Sequence, residues 1–277
     1  MKNNYELLAP VGNFAMLHAA INAGADAVYF GLEGFNMRSS AKNFSLEDLK
    51  EIKNICKNNK KKIKTYLTLN IIVYDEEIEK IKKVIKKISK NKLVDAIICW
   101  DLSIIELCKK YRIPFHISTQ ASISNSRAAK FYKKLGAERI VLARELSLKQ
   151  IRNIHKNVPK LEIEAFCHGA MCVAISGRCF MSQFLWNKSA NRGQCLQACR
   201  RAYKTYEIED EEKNELKLEN NRVMSAKDLC TLPIIEDMKK SGIKSFKIEG
   251  RGRDARYVDT VVKVYRKALD KKVTKKD

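Results

Sequence analysis

Apolar positions along the chain fall into two alternating periods. Short, nearly continuous apolar runs appear as "YELLAPV", "ADAVYFG", "KTYLTLN", "DAIICW", "PFHIST", "RIVLAR", "LEIEAFC" and "SFKIEG". Between them lie stretches whose apolar residues recur every three or four positions, such as "SLEDLKEIKNICKNN" after the second run and "EEIEKIKKVIKKI" after the third. The first pattern is that of a strand buried on both faces, the second that of a helix with one apolar stripe. Eight such strand–helix units predict an α/β protein, a (β/α)8 TIM-type barrel, with an open doubly wound sheet as the alternative.

A barrel places its chemistry at the C-terminal ends of its strands. Polar residues gather there: Asn70, Asp101, Thr119 with Gln120, Arg144 with Glu145, His168, and Glu249 with Arg251. Some of these positions serve only to cap helices or close turns. His168 and Glu249 are the candidates for catalysis, Asn70 and Gln120 for substrate binding. The connection between the seventh and eighth strands is several times longer than the others, and long connections in a compact domain are usually functional. The expected organisation is therefore one domain over residues 1–277 with a cysteine-rich insertion at about 170–230.

That insertion holds Cys172, Cys179, Cys195 and Cys199, with Cys230 at its end. The paired CxxC knuckles of common structural zinc sites are missing, which weakens a zinc reading. An iron–sulfur cluster needs four thiolates brought together in space at no fixed interval, and this set suits it. Cys56, Cys99 and Cys108 fall within strand or helix patterns and are expected as small core residues, as is Cys167 at the end of the seventh strand.

Charge and composition narrow the class. Hydrophobic residues make up 45% of 277 positions, enough for a large core, which excludes a disordered or fibrous chain. No stretch approaches the length of a membrane span and the start lacks a signal-peptide pattern, so a cytoplasmic protein without membrane contact is expected. In that reducing compartment a cysteine cluster points to metal or redox chemistry rather than disulfides. The formal net charge is +22. Lysine-rich helix faces exposed to water explain it, and so does a polyanionic partner such as RNA; charge alone does not choose.

Two stretches carry local expectations. "EGRGRDA" (Glu249 to Ala255) follows a strand and opens a helix, so its backbone N–H groups, with Arg251 and Arg253, could receive a phosphate or carboxylate. "SAKDLC" reads as a capping box from Ser225 to Asp228 that starts a helix with Cys230 in its first turn.

The stretch "EAFCHGAMCVAISGRCFMSQFLWNKSANRGQCLQACR" closely resembles the signature of the U32 peptidase family, the collagenase-like proteins. The resemblance continues at "ELLAPVGNFAMLHAAINAGADAVYFGLEGFNMRSSAKNF", "STQASISN", "RIVLARELSL" and "FKIEGRGRDARYVDTVVKVYRKALD". It implies a (β/α) barrel bearing a [4Fe–4S] cluster, with Cys172, Cys179, Cys195 and Cys230 as ligands and Cys199 as a neighbouring thiol. Family members act in oxygen-independent hydroxylation of tRNA wobble uridine, of ribosomal RNA cytidine or of the ubiquinone ring, with prephenate linked to the RNA reactions. The expected function is RNA hydroxylation, most simply of tRNA, with Arg38, Arg251 and Arg253 holding an anionic co-substrate; a cluster-bearing scaffold that needs a protein partner for activity is an alternative. Family members often carry a further C-terminal domain, which this chain is expected to lack.

The family's peptidase label is the alternative. Neither HExxH nor GxSxG is present. A thiol nucleophile would need His168 beside Cys167 or Cys172 as its activating imidazole.

Overall fold

In the computed structural model, which describes residues 5–37, 43–175, 178–204, 212–213 and 221–271, the strand–helix alternation closes on itself. The elements run β1 (Glu6–Pro10), α1 (Phe14–Asn22), β2 (Ala27–Gly31), α2 (Asp48–Lys57), β3 (Lys64–Thr68), α3 (Asp75–Asn91), β4 (Ala96–Cys99) and α4 (Leu102–Lys110). They continue through β5 (Phe115–Ile117), α5 (Ser126–Leu135), β6 (Arg139–Val141), α6 (Leu148–Asn157), β7 (Glu162–Gly169), α7 (Met181–Trp186), β8 (Leu229–Cys230), α8 (Ile235–Lys240), β9 (Ser245–Ile248) and α9 (Ala255–Asp270). Strands β1 to β7 and β9 pair in parallel around the ring, with β6 meeting β7, β7 meeting β9 and β9 meeting β1. The predicted (β/α)8 TIM-type barrel is observed, and the open-sheet alternative is excluded by that closure.

Alternation along each strand divides the core in two. Leu8, Ala27, Tyr29, Tyr66, Ala96 and Ile98 form a separate cluster inside the ring. Their neighbours Leu7, Ala9, Val28, Phe30 and Ile97 belong to the layer between strands and helices. Helix α9 shows how that outer layer is closed: Val258, Val262, Tyr265 and Leu269 recur at helical spacing and are all buried. Cys56, Cys99, Cys108 and Cys167 are fully buried, as expected of core thiols.

The N-terminal half of the ring is filled by charge rather than by aliphatic side chains. Glu164, with no exposed surface, accepts from Lys247 at 2.8 Å, from Arg139 at 3.1 Å and from the Ser245 hydroxyl at 3.1 Å. Arg139 also pairs with Glu6 and, at 2.6 Å, with Glu162. Burial pushes the Glu6 carboxyl up, but Arg139, Lys64 and Tyr66 more than offset it and hold it below its ordinary value. Burial lowers the Lys247 ammonium even against the opposing Glu164. A pair buried this deeply is tolerable only because each charge has partners.

His116 sits against this network without joining it. Among the described residues its Nδ1 has no hydrogen-bond partner, and its ring meets Tyr66 edge-on at 4.7 Å. Burial, then the Arg139 and Lys247 charges, push its pKa well below 6.5. The folded chain thus keeps a neutral imidazole where the unfolded chain takes a proton. Stability from this site is present above about pH 6.5 and lost as pH falls below that value. A His116→Phe variant is expected to lose less unfolding free energy between neutral and mildly acidic pH than the wild type, as measured by denaturant titration; equal losses would remove His116 from that account.

One feature departs from the sequence reading. Ser225 to Asp228 form no helix: Arg200 donates to the Ser225 hydroxyl at 3.0 Å and to the Ala226 carbonyl, and the chain then enters β8. There Cys230 pairs with His168, and Leu229 with Gly169, in antiparallel register. Upstream, the Tyr203 N–H donates to the Asn221 carbonyl at 2.7 Å, tying together the two ends of the residue 204–220 stretch. Asp101 caps α4 by accepting from the Ser103 N–H at 2.9 Å, so it serves the scaffold.

Candidate functional site at the C-terminal mouth of the barrel

The ends of β2, β3, β5 and β9 converge on one polar group. Arg251, only 7% exposed, donates through Nη1 to Asn36 Oδ1 and to Thr68 Oγ1, both at 3.0 Å. Asn36 is itself fixed by donating to the Leu32 carbonyl at 2.6 Å and to Asn43 Oδ1 at 3.0 Å. Two residues beyond Thr68, Asn70 accepts from the Met37 N–H at 3.3 Å and donates to Gln120 at 3.4 Å. The Ser118 hydroxyl donates to the same Gln120 oxygen. Arg251, Asn70 and Gln120, all named from the sequence, are therefore brought together, buried and pre-oriented. Arg38 lies outside the described residues.

Glycine makes this packing possible at two places. A Cβ on Gly31 would stand 2.6 Å from Asn36 Nδ2 and 2.7 Å from Arg251 Nη1. Gly169 has φ +108, and a Cβ there would stand 2.5 Å from the Glu249 carbonyl oxygen. The close approach at Gly169 lets the Glu249 N–H donate to the His168 carbonyl at 2.8 Å and seats Glu249 beside Tyr29, whose hydroxyl donates to the Ile248 carbonyl at 2.9 Å and to Glu249 Oε2 at 3.4 Å.

His168 and Arg253 sit elsewhere on the rim. His168 Nδ1 lies 3.4 Å from the Tyr265 hydroxyl, which donates to the Cys167 carbonyl at 2.7 Å. Burial, then Arg253 against an opposing Asp228, hold its imidazole below its ordinary pKa. Arg253 is turned outward and pairs with Asp228 at 3.1 Å, so the sequence expectation of two arginines facing the mouth holds for Arg251 alone. The start of α9 is already capped: Asp254 accepts from the Tyr257 N–H at 2.8 Å, placing a carboxylate where an anion was expected.

The thiols line the insertion that arises beside this mouth. Cys172 and Cys230 are exposed, while Cys179, Cys195 and Cys199 are half-buried. Burial pushes the Cys199 thiol up, Arg200 opposes it, and Cys172, Cys195 and Cys179 push it further up, so Cys199 senses all three. Arg200 anchors this cluster by donating at 2.5 Å to the carbonyl of Met171, the neighbour of Cys172. Asn191 accepts from the Cys179 N–H at 2.9 Å. Asn36, Thr68, Asn191 and Arg200 were absent from the sequence-derived set; Asn36 alone had a signal, its place in "GFNMRSS" two residues before Arg38. In donor chemistry the set fits a thiolate-held cluster. Among the described residues, no three His, Cys, Asp or Glu side chains stand at metal-holding distance.

The same geometry speaks against an activated thiol at Cys167. That side chain is fully buried, donates to the Lys247 carbonyl at 3.4 Å, and has its pKa pushed well up by burial. A nucleophile needs the reverse.

With barrel and mouth in place, comparison with known proteins gives the family. The Peptidase family U32 profile matches residues 12–277. A collagenase from Porphyromonas gingivalis is 44% identical over 97% of this chain and 66% of its own length. tRNA hydroxylation protein P1 from Bacillus subtilis is 40% identical over 96% of this chain and 63% of its length, and a 23S rRNA 5-hydroxycytidine synthase from Escherichia coli is 41% identical over 96% and 39%. Among solved structures, a U32 peptidase aligns with a TM-score of 0.59 at 10% identity, over 89% of this chain and 93% of that one, which supports the fold alone. The chain belongs to Peptidase family U32. It spans 63–66% of the length of the collagenase and tRNA hydroxylation relatives. Among the described residues, no helix is long and apolar enough to cross a membrane.

Proposed function

We propose that this chain is the barrel portion of a cytoplasmic RNA-hydroxylating protein, acting on a pyrimidine base and most simply on tRNA wobble uridine. The observation that carries this reading is a family relationship: relatives 40% and 41% identical over 96% of this chain are named for tRNA hydroxylation and for ribosomal hydroxycytidine synthesis. The mouth supports it, because it offers buried carboxamides and a guanidinium to a small polar substrate. The charge of +22 favours an RNA backbone.

Within this reading, Cys172, Cys179, Cys195 and Cys230 would hold a [4Fe–4S] cluster, with Cys199 beside them. The cluster would supply electron transfer. The chain's own residues do the positioning. Arg251, held by Asn36 and Thr68, would face the carboxylates of an anionic co-substrate such as prephenate. Asn70 and Gln120 would bond the polar edge of an extruded base, since a base must leave its stack to enter a barrel mouth. Glu249, beside the Tyr29 hydroxyl, would hold or release a proton there.

Nucleoside mass spectrometry of tRNA from cells with and without the protein tests the reading. Loss of a hydroxylated uridine is expected; unchanged nucleosides together with hydrolysis of gelatin by the purified chain would move it to a peptidase. Arg251 has its own test. Charge-assisted hydrogen bonds are worth about 1.5–3 kcal/mol, so Arg251→Ala is expected to weaken prephenate binding about tenfold or more in calorimetry. Unchanged affinity with a lowered Tm would make Arg251 part of the scaffold.

A further inference from the structure

Helix α7 buries almost nothing of its own. Ser182 is its one buried residue, whereas Phe180 at its N-terminus is 69% exposed and Phe184 is 89% exposed. The two phenylalanines are four apart and share one face. On the adjoining flank Gln183 and Asn187, also four apart, line a surface cavity of about 340 Å³ with Tyr74, Ser189, Arg192 and Gln194. The carboxamides of Gln183, Asn187 and Gln194 make no hydrogen bond to another described residue.

The far wall of that cavity is rigid. Arg192 stacks on Tyr74 at 4.1 Å, pairs with both oxygens of Glu77 at 2.7 and 2.6 Å, and donates to the Ile72 carbonyl at 2.6 Å. At the other end of α7, Arg201 lies over the Trp186 ring at 4.3 Å. The helix also borders the thiols, because the Met181 N–H donates to Cys179 Sγ at 3.4 Å. It is tied toward the barrel by Arg178, which donates to the Ser122 hydroxyl at 3.1 Å.

We propose that α7 and the cavity behind it form a second nucleic-acid subsite, which receives the single-stranded RNA flanking the base held in the barrel mouth. The proposal rests on the RNA reading above and deepens it. Three chemistries meet on this one ridge: exposed aromatic rings, unpartnered carboxamides and guanidinium groups. Rings stack on the face of any base, carboxamides bond base edges, and cations meet phosphates. A protein-docking face has a closed apolar centre, whereas here a flank of amides borders the two rings. The cavity lies at the small end of the ligand-pocket range of about 300–1,000 Å³ and suits one nucleotide. The exposed Arg178 and Arg201 flanking the two ends of α7, in a chain of net charge +22, supply the complementarity to RNA.

The two flanks contribute differently, and that difference is measurable. Stacking releases no counterions, so losing it lowers affinity without changing how affinity falls with salt. The probe is a labelled single-stranded RNA oligonucleotide of mixed sequence, titrated with the full chain by fluorescence anisotropy over a salt series. Phe180→Ala combined with Phe184→Ala is expected to weaken binding about tenfold or more with an unchanged salt slope. Phe184→Trp is expected to retain or raise affinity. Both phenylalanines are exposed, so the variants keep the fold, as unchanged circular dichroism would confirm. Wild-type affinity in the double alanine variant overturns the subsite and leaves the RNA reading standing. No wild-type binding at low salt overturns both. If sedimentation shows a wild-type dimer that the double variant dissociates while RNA affinity is unchanged, the face belongs to a second copy of the chain and the proposal fails.

Discussion

Glu164→Ala is expected to lower the unfolding free energy by about 3–5 kcal/mol, the cost of stranding buried charge when one partner is removed. Two cations lose a partner at once, Lys247 at 2.8 Å and Arg139 at 3.1 Å, and neither has a route to water, being 4% and 2% exposed. Arg139 keeps Glu6 and Glu162, so most of the loss falls on Lys247. A Glu164→Ala variant that also carries Lys247→Met should therefore recover a large part of the stability. Chemical denaturation of the two variants measures this. A single variant within about 1 kcal/mol of wild type would show that the network contributes little.

The second large effect concerns iron. Protein purified without air is expected to carry iron and sulfide, and Cys172→Ala, Cys179→Ala, Cys195→Ala and Cys230→Ala each to lose most of it. Cys56→Ala and Cys108→Ala remove fully buried core thiols and should keep it, at some cost in Tm. Cys199 separates two ligand sets. It is the thiol whose acidity responds to Cys172, Cys195 and Cys179, whereas Cys230 is fixed opposite His168. Iron retained in Cys199→Ala and lost in Cys230→Ala supports the set implied by the family resemblance. The reverse result would exchange the two, and stoichiometric zinc in place of iron would sink the cluster altogether.

What the sequence revealed and what it hid have physical reasons. The eight barrel strands were legible because both faces of each are buried, which leaves apolar runs such as "DAIICW". The charged filling of the ring was not, since Glu6, Arg139, Glu164 and Lys247 each look like an ordinary polar position until closure brings four distant strands together. Arg251, Asn70 and Gln120 were found because strand ends of a barrel share one mouth. Their partner Thr68 carried no comparable mark, and Asn36 only its place two residues before Arg38. The capping pattern at Ser225 to Asp228 misled because the residues that would form the helix's first turn, Leu229 and Cys230, are instead held extended by antiparallel pairing with β7. The arginine pair of "EGRGRDA" likewise split because Asp228, remote in the chain, draws Arg253 outward.

The hydrogen bond between the Tyr203 N–H and the Asn221 carbonyl bears on how this insertion tolerates change in length. It pins both ends of the intervening stretch, and the β8 pairing then delivers Cys230 to its place opposite His168 by backbone register alone. The position of that thiol is thus decoupled from the number of residues between the pinned ends. Where two chain ends are already held, each doubling of the number of residues that join them costs only roughly 0.6 kcal/mol. A change in length between Tyr203 and Asn221 is therefore expected to leave the thiols in place, which makes this the natural attachment point for an affinity tag, a reporter domain or a spectroscopic probe.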